Sequence, residues 1–295
     1  MIDLYPDIQR RAQQLKPKRC VVSYATDISL LQTLTLVKDK RLITEPLFIG
    51  PRKLPGMHNF REAASMHVSA AMARECWLQR EVDLIIQGHG ERQSFIDLHL
   101  KGGVLDKKAV YLAAFYDSKR QQTFFGIDPL IAVPPTLERK ISQLETVAPF
   151  LKHIFNRKIY AVALAPIETV NPKIPATVTA AVLAQMSVRC QFGNFLQVTG
   201  PLDIDCALSK VAAGRKGVES EKSGDFDLYI LPDTNSSYFF TTFLKYIGNV
   251  PTIGVLLSPD HHLLLNSAPL TISERVAEIT LGLIAYNFYK DIGGL

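Results

Sequence analysis

The chain has 295 residues, 47% hydrophobic and 21% charged, which suits one large or two ordinary globular domains that need neither disulfides nor metal to fold. Lys and Arg number 33 against 28 Asp and Glu, a net charge of +5, and no basic block is long enough to serve as a nucleic-acid tail. An apolar run such as Ala109–Phe115 is too short to span a membrane, the first residues carry no secretory pattern, and the four cysteines form no CxxC pair. The expectation is a cytoplasmic protein with reduced, buried thiols and neither a nucleic-acid nor a membrane partner.

Short β-rich runs alternate with helical patterns. Arg19–Tyr24 is a predicted strand, and the spacing of Leu30, Leu31, Leu34 and Val37 predicts a helix over Asp27–Lys40. A strand over Pro46–Gly50 precedes a long predicted helix, Asn59–Glu81. Val82–Gln87 is a third strand and Glu91–Lys101 another helix. Ala109–Phe115 and Gln122–Asp128 flank the polar stretch Asp117–Arg120 and are expected to pair antiparallel. A second cycle begins near Val133. Pro135 is placed to open a helix over Thr136–Ile154. Strand Lys158–Ala165, helix Pro175–Arg189, strand Phe195–Gly200, helix Ile204–Arg215, strand Asp227–Leu231 and helix Tyr238–Ile247 follow. Strands Thr252–Leu257 and His262–Asn266 and helix Ile272–Tyr289 close the chain. This order is that of an α/β protein with largely parallel sheets, and its repetition predicts two α/β domains around a cleft. Ligands in such sheets bind beyond the carboxyl ends of the strands.

Four loops hold the polar residues that chemistry would need. Gln87-Gly88-His89-Gly90 suits either a tight turn or backbone contact with a phosphate. Asn171–Thr177 (NPKIPAT) is stiffened by two prolines and presents Lys173, Asn171 and Thr177 at a helix start. Asp203 and Asp205 suit capping of the next helix, and are also a carboxylate pair of the kind that holds a metal. Pro232–Ser237 (PDTNSS) offers small donors at another helix start, as an anion site or as a simple cap. There is no GxSxG, HExxH, Walker loop or GxGxxG.

The motifs point to one family. Asn171–Met186 (NPKIPATVTAAVLAQM), Gly200–Ser209 (GPLDIDCALS), Lys216-Gly217-Val218 and Ser223–Pro232 (SGDFDLYILP) resemble the phosphate acetyl/butyryl transferase family, and most of all its phosphate butyryltransferase branch. The resemblance implies an isocitrate/isopropylmalate dehydrogenase-like pair of α/β domains, here 1–130 plus 254–295 and 131–253, in a homodimer. It implies reversible transfer of a short or branched acyl group between coenzyme A, a substrate rather than a covalent cofactor, and phosphate, with no metal. The partners implied are acyl-CoA or acyl phosphate and phosphate. Site residues depart from the family pattern: a Glu, Gly, Asn and Lys become Asn235, Ser237, Tyr238 and Thr242, an Arg and Asp become Ala268 and Leu270, a Lys becomes Gln87, and an Asn becomes Ala132. Ser267, Asp233, Lys173, Asn171, Thr177 and Asp128 remain as substrate-binding candidates, with no base assigned. Two readings stay open: an acyltransferase with a partly lost site, and a weakened relative that binds coenzyme A, an acyl phosphate or a partner without turnover.

Overall fold

The computed structural model describes residues 5–90, 92–100, 109–131, 135–218, 220–258, 263–265 and 271–293. The chain forms two compact units, Met1–Ala109 with Ile253–Leu295, and Val110–Thr252. The boundary falls before residue 110 rather than at 130, because the hairpin of β5 (Val110–Asp117) and β6 (Gln122–Ile127) is sheet-paired within the second unit.

In the first unit, β1 (Cys20–Ser23), β2 (Leu47–Gly50), β3 (Asn59–Glu62), β4 (Leu84–Gln87) and β11 (Leu263–Leu264) form a parallel sheet in the order β11-β4-β1-β2-β3. Its central strands are buried on both faces, which is why they read as unbroken apolar runs. Helix α2 (Ile28–Asp39) starts at Asp27, whose carboxylate accepts from the Ser29 N–H at 2.8 Å. The C-terminal helix α10 (Ile272–Gly293) packs on α1 (Pro6–Ala12) and α2 and is tied to Asp27 and Ser29 by Arg275, at 2.9 and 2.7 Å. Val276, Ile279 and Leu283 of α10 share a core with Leu34, Val22 and Leu84.

Several expectations differ from the structure. Asn59–Glu81 is not one helix: Asn59–Glu62 pairs with β2, and α3 (Met66–Leu78) begins only after Ser65, whose hydroxyl caps Val68 N–H at 3.3 Å. Pro135 precedes the cap of α5 (Leu137–Phe155) instead of opening the helix, because Thr136 accepts from the Arg139 N–H at 3.2 Å. Ile204–Arg215 is split into α7 (Ile204–Leu208) and α8 (Lys210–Lys216) by an extended Ser209, which ends the first and caps the second. Three cysteines are buried, but Cys190 is exposed where α6 (Pro175–Val188) ends. His262 and Asn266, expected as ends of a strand, lie outside the described residues, as does Glu91 at the start of α4 (Arg92–Leu100).

The second sheet adds β7 (Ile159–Leu164), β8 (Leu196–Leu202), β9 (Leu228–Ile230) and β10 (Thr252–Leu257), in the order β10-β5-β6-β9-β7-β8. The expected antiparallel hairpin is present, Ala113 facing Gly126 and Phe115 facing Phe124. The pairs β6–β9, β9–β7 and β7–β8 are parallel. Side chains alternate between faces along each strand. Phe115, Val162, Leu164, Tyr229 and Leu231 pack with Cys206 of α7 and Phe240 of α9 (Thr234–Tyr246). The opposite face carries Phe125 against Phe155 of α5, and Ala163 and Ile230 near Leu183 of α6.

A candidate acyl-ligand site in the second unit

The neighbouring strands β7 and β9 are parallel, but their following helices leave in opposite directions. Helix α6 carries the chain from β7 to β8 on the α5 face, while α9 leaves β9 on the other face. The carboxyl ends of these two strands are therefore a switch point, where helices diverge and a crevice opens. The site follows from topology before any side chain is considered.

Its largest feature is an apolar groove of about 1080 Å³. Ile174, Ile204, Leu208, Phe243, Leu244 and Ile247 supply much of its lining, and the carboxylates of Asp203, Asp205 and Asp233 stand around it. Helix α9 presents Ser236, Phe240, Phe243 and Ile247 to the groove, a three- to four-residue spacing on one helix face. Tyr238 points elsewhere: it is 55% exposed, packs edge-on to Phe239 and does not line the groove.

The 171–177 segment is a self-tied wall. The buried Thr177 hydroxyl accepts from the Asn171 N–H at 2.9 Å and lies 2.8 Å from the Ile174 carbonyl oxygen, to which it can donate. The Asn171 side chain accepts from the Lys173 N–H at 3.0 Å. Both polar groups are used to hold the loop, so Asn171 and Thr177 shape the groove, and Lys173 is exposed. On the facing wall, Gly200 has no room for a side chain: a Cβ would lie 2.7 Å from the Ala163 carbonyl oxygen. That close approach seats β8 against β7 and delivers Asp203 to the groove.

Asp203 caps α7, accepting from the Cys206 N–H at 3.1 Å. Asp203, Asp205 and Glu168 surround the Lys216 ammonium, with Glu168 at 2.9 Å and Asp205 at 3.0 Å. The ammonium holds the Glu168 carboxyl down to about 2, and burial among carboxylates pushes the Cys206 thiol up to about 12. The ligand atoms of Glu168, Asp203, Asp205 and Cys206 lie within 4.8 Å of one another, but the positive charge at their centre is Lys216.

The remaining sequence candidates separate. Asp233 caps α9, accepting from the Ser236 N–H at 2.8 Å, and lies at the crevice. Asp128 is buried at 3% exposure and accepts from the N–H groups of Tyr111, Leu130 and Ile131. Burial raises its pKa, and its carboxylate fastens the exit of β6 to β5. Ser267, Ala268 and Leu270 lie outside the described residues. The glycine loop after β4 is a tight turn: the Gly88 N–H donates to the Ser23 carbonyl at 2.8 Å, and a Cβ on Gly88 would strike the carbonyl oxygens of Ser23 and Tyr24. One residue escaped the sequence reasoning. Lys140 is 5% exposed, on the inner face of α5, and its ammonium donates to the Leu231 carbonyl oxygen at 2.6 Å, at the crevice edge. Its signal was its register: it sits four residues before Leu144 and seven before Val147, on the apolar stripe.

Comparison with known proteins agrees with the motifs. The family model described as phosphate acetyl/butaryl transferase matches residues 106–258. The chain is 30% identical over 297 residues to a phosphate acetyltransferase of Rickettsia typhi, spanning 95% of this chain and 84% of that one. It is 24% identical over 294 residues to a probable phosphate butyryltransferase of Bacillus subtilis, spanning 96% and 98%. Among solved structures, a branched-chain phosphotransacylase from Enterococcus faecalis shares the fold with a TM-score of 0.76 at 16% identity, over 91% of this chain and 98% of that one. With this match in sequence and fold, the chain belongs to the phosphate acetyl/butaryl transferase family.

Proposed function

We propose that the chain transfers a short or branched acyl group reversibly between coenzyme A and phosphate, with the crevice of the second unit seating the acyl ligand. The observation that carries this reading is the apolar groove, whose walls are the Asn171–Thr177 and Gly200–Asp205 segments that bear the family resemblance. In acyl transfer the coenzyme A sulfur attacks the carbonyl carbon of the acyl phosphate, the new C–S bond forms, and the C–O bond to phosphate breaks. A free thiol has a pKa of ~8.5, so the step gains from a base and from fixed positioning of both partners.

The second reading, binding with little turnover, is favoured by charge. Three carboxylates and no cation line the groove among the described residues, and Lys216 is already engaged. The departures at Asn235, Thr242, Ala268 and Leu270 remove charged groups that the resemblance would place near the reacting atoms. We therefore infer slow turnover, with Ser267 and Asp233 as the remaining proposed contacts from the sequence. An isocitrate-dehydrogenase-like arrangement of the two units around a cleft, a homodimer and a cytoplasmic setting belong to the same proposal and rest on the resemblance.

The test is release of coenzyme A from acetyl-, butyryl- and isobutyryl-CoA in phosphate, run beside calorimetric titration of each acyl-CoA. Binding of butyryl- or isobutyryl-CoA with turnover well below the ordinary enzyme range of ~1–10³ per second is the expected result. Turnover within that range overturns the slow-turnover reading, and absence of both binding and turnover overturns acyl transfer.

A further inference from the structure

Beside the groove, at the same carboxyl edge of β7 and β9, lies a pocket of about 210 Å³, roughly one fifth of the groove's 1080 Å³. Lys140 is its cation, 5% exposed. A lysine ammonium has three N–H groups. One donates to the Leu231 carbonyl oxygen at 2.6 Å, and the other two meet no acceptor among the described residues. The N-terminal part of α6 lines the same pocket through Pro175 and Ala176 of its first turn and Thr179 of its second. Ile174 at its N-cap gives no side-chain cap and the Thr177 N–H donates to the Ile174 carbonyl oxygen at 2.9 Å, so the positive field of a 14-residue helix borders the pocket with no side chain set against it. Asp233 lines the pocket from α9. Asp128 after β6 and Arg139 on α5 are the other charges that Lys140 senses.

We propose that Lys140 and the first turn of α6 form an oxyanion subsite that holds phosphate, or the phosphoryl group of an acyl phosphate, while the acyl chain lies in the adjoining groove. The proposal rests on the acyl-transfer reading above. A buried ammonium with unused N–H groups is incompletely compensated, and a tetrahedral oxyanion supplies several acceptors at once. The helix end adds a favourable field for the same charge, while Pro175 has no N–H and the Thr177 N–H already donates to the Ile174 carbonyl oxygen at 2.9 Å. The two depressions share Leu164, Pro175, Ala176, Leu231, Pro232 and Asp233, so a head group in one and a chain in the other need only cross that common rim. Burial lowers the Lys140 pKa to about 8, which leaves it mostly charged at neutral pH and neutral in mild alkali.

Sulfate is the probe, because its charge does not change between pH 6 and 9, and calorimetry on the full chain is the readout. Lys140→Met should weaken sulfate at least about tenfold, the usual scale for a hydrogen bond to a charged group. Asp233→Asn keeps a capping side chain and removes the opposing charge, so sulfate should bind roughly threefold tighter or more. Lys173→Met, on the exposed turn, should change nothing. Wild-type affinity should fall from pH 7 to pH 9 as the ammonium loses its proton. If Lys140→Met does not fold, the Asp233→Asn gain and the wild-type pH dependence decide. Sulfate affinity unchanged in Lys140→Met, lost in Lys173→Met, or flat to pH 9 overturns the subsite. Acyl-CoA turnover that survives Lys140→Met with unchanged sulfate affinity removes the subsite and leaves acyl transfer standing. Lys140-dependent sulfate binding in a chain that binds no acyl-CoA removes acyl transfer and leaves the subsite.

Discussion

Lys140 carries its charge out of water for a single hydrogen bond among the described residues, to the Leu231 carbonyl oxygen. The fall of its pKa from 10.5 to about 8 corresponds to roughly 3 kcal/mol against the charged form. The sign matters for stability. The folded state binds this proton more weakly than the unfolded chain, so the penalty is full below pH 8 and disappears as pH rises towards 10.5. Lys140→Met has no such titration. Comparing urea unfolding of the two proteins, the difference should move in favour of the wild type by up to roughly 3 kcal/mol between pH 7 and 10.5. A difference that stays flat across that range would mean the ammonium is hydrated and not buried. From the sequence, Lys140 was one of 33 basic residues, and its register on the α5 stripe was the only cue. Asp203, by contrast, stands directly before a predicted helix and caps it, while Asp233 caps α9, which starts at Thr234 and not at the predicted Tyr238.

Helices and strands were legible where one local pattern had no competitor. The β5–β6 hairpin has two apolar runs around a charged turn, and α5 has a long amphipathic stripe. Asn59–Glu62 carries a helical local pattern but forms a short edge strand that takes its identity from its neighbour β2, a tertiary fact that local propensity does not contain. Ser209 lies inside a helical pattern and breaks it because its hydroxyl caps the next helix, a role the local pattern does not show. The crevice depends on β7 and β9 standing side by side although β8 lies between them in sequence. One buried carboxylate secures that pairing. Asp227, 1% exposed, accepts from both Arg157 guanidinium nitrogens at 2.8 and 2.6 Å and from the Tyr160 N–H at 2.9 Å, just before β9 and at the start of β7. Asp227→Ala orphans that N–H and breaks a charge-assisted pair, for an expected loss of roughly 2–4 kcal/mol in urea unfolding. The site lies at the opposite ends of these strands, so acyl-CoA affinity of the folded variant should stay near the wild-type value. A large loss of affinity without loss of stability would contradict this division of labour.

Across the molecule, the fold is that of the family, while the departures at Asn235, Thr242, Ala268 and Leu270 are from the charges that the resemblance would imply. Topology places a crevice in the second unit, and the two motif segments form its walls by bonding to themselves or by approaching too closely for any side chain. Chemistry needs more than a crevice. A departing phosphate requires cationic or N–H donors, and removal of one such donor typically costs ~10²–10³ in rate. The sequence has Ala268 and Leu270 where the resemblance expects an arginine and an aspartate. An arginine introduced alone would lack the carboxylate that orients it, and a lone aspartate would repel the phosphate. The paired substitution Ala268→Arg with Leu270→Asp should therefore raise kcat by roughly tenfold or more, while either alone changes it less than about threefold. The split between kcat and KM carries further information. If Lys140 already binds the phosphate, the paired variant should gain in kcat with the KM for phosphate nearly unchanged, because ground-state binding is supplied from α5 and only transition-state stabilisation is restored. A fall in KM with kcat unchanged would mean that the new arginine provides the phosphate contact itself, and that Lys140 serves only to brace the end of β9.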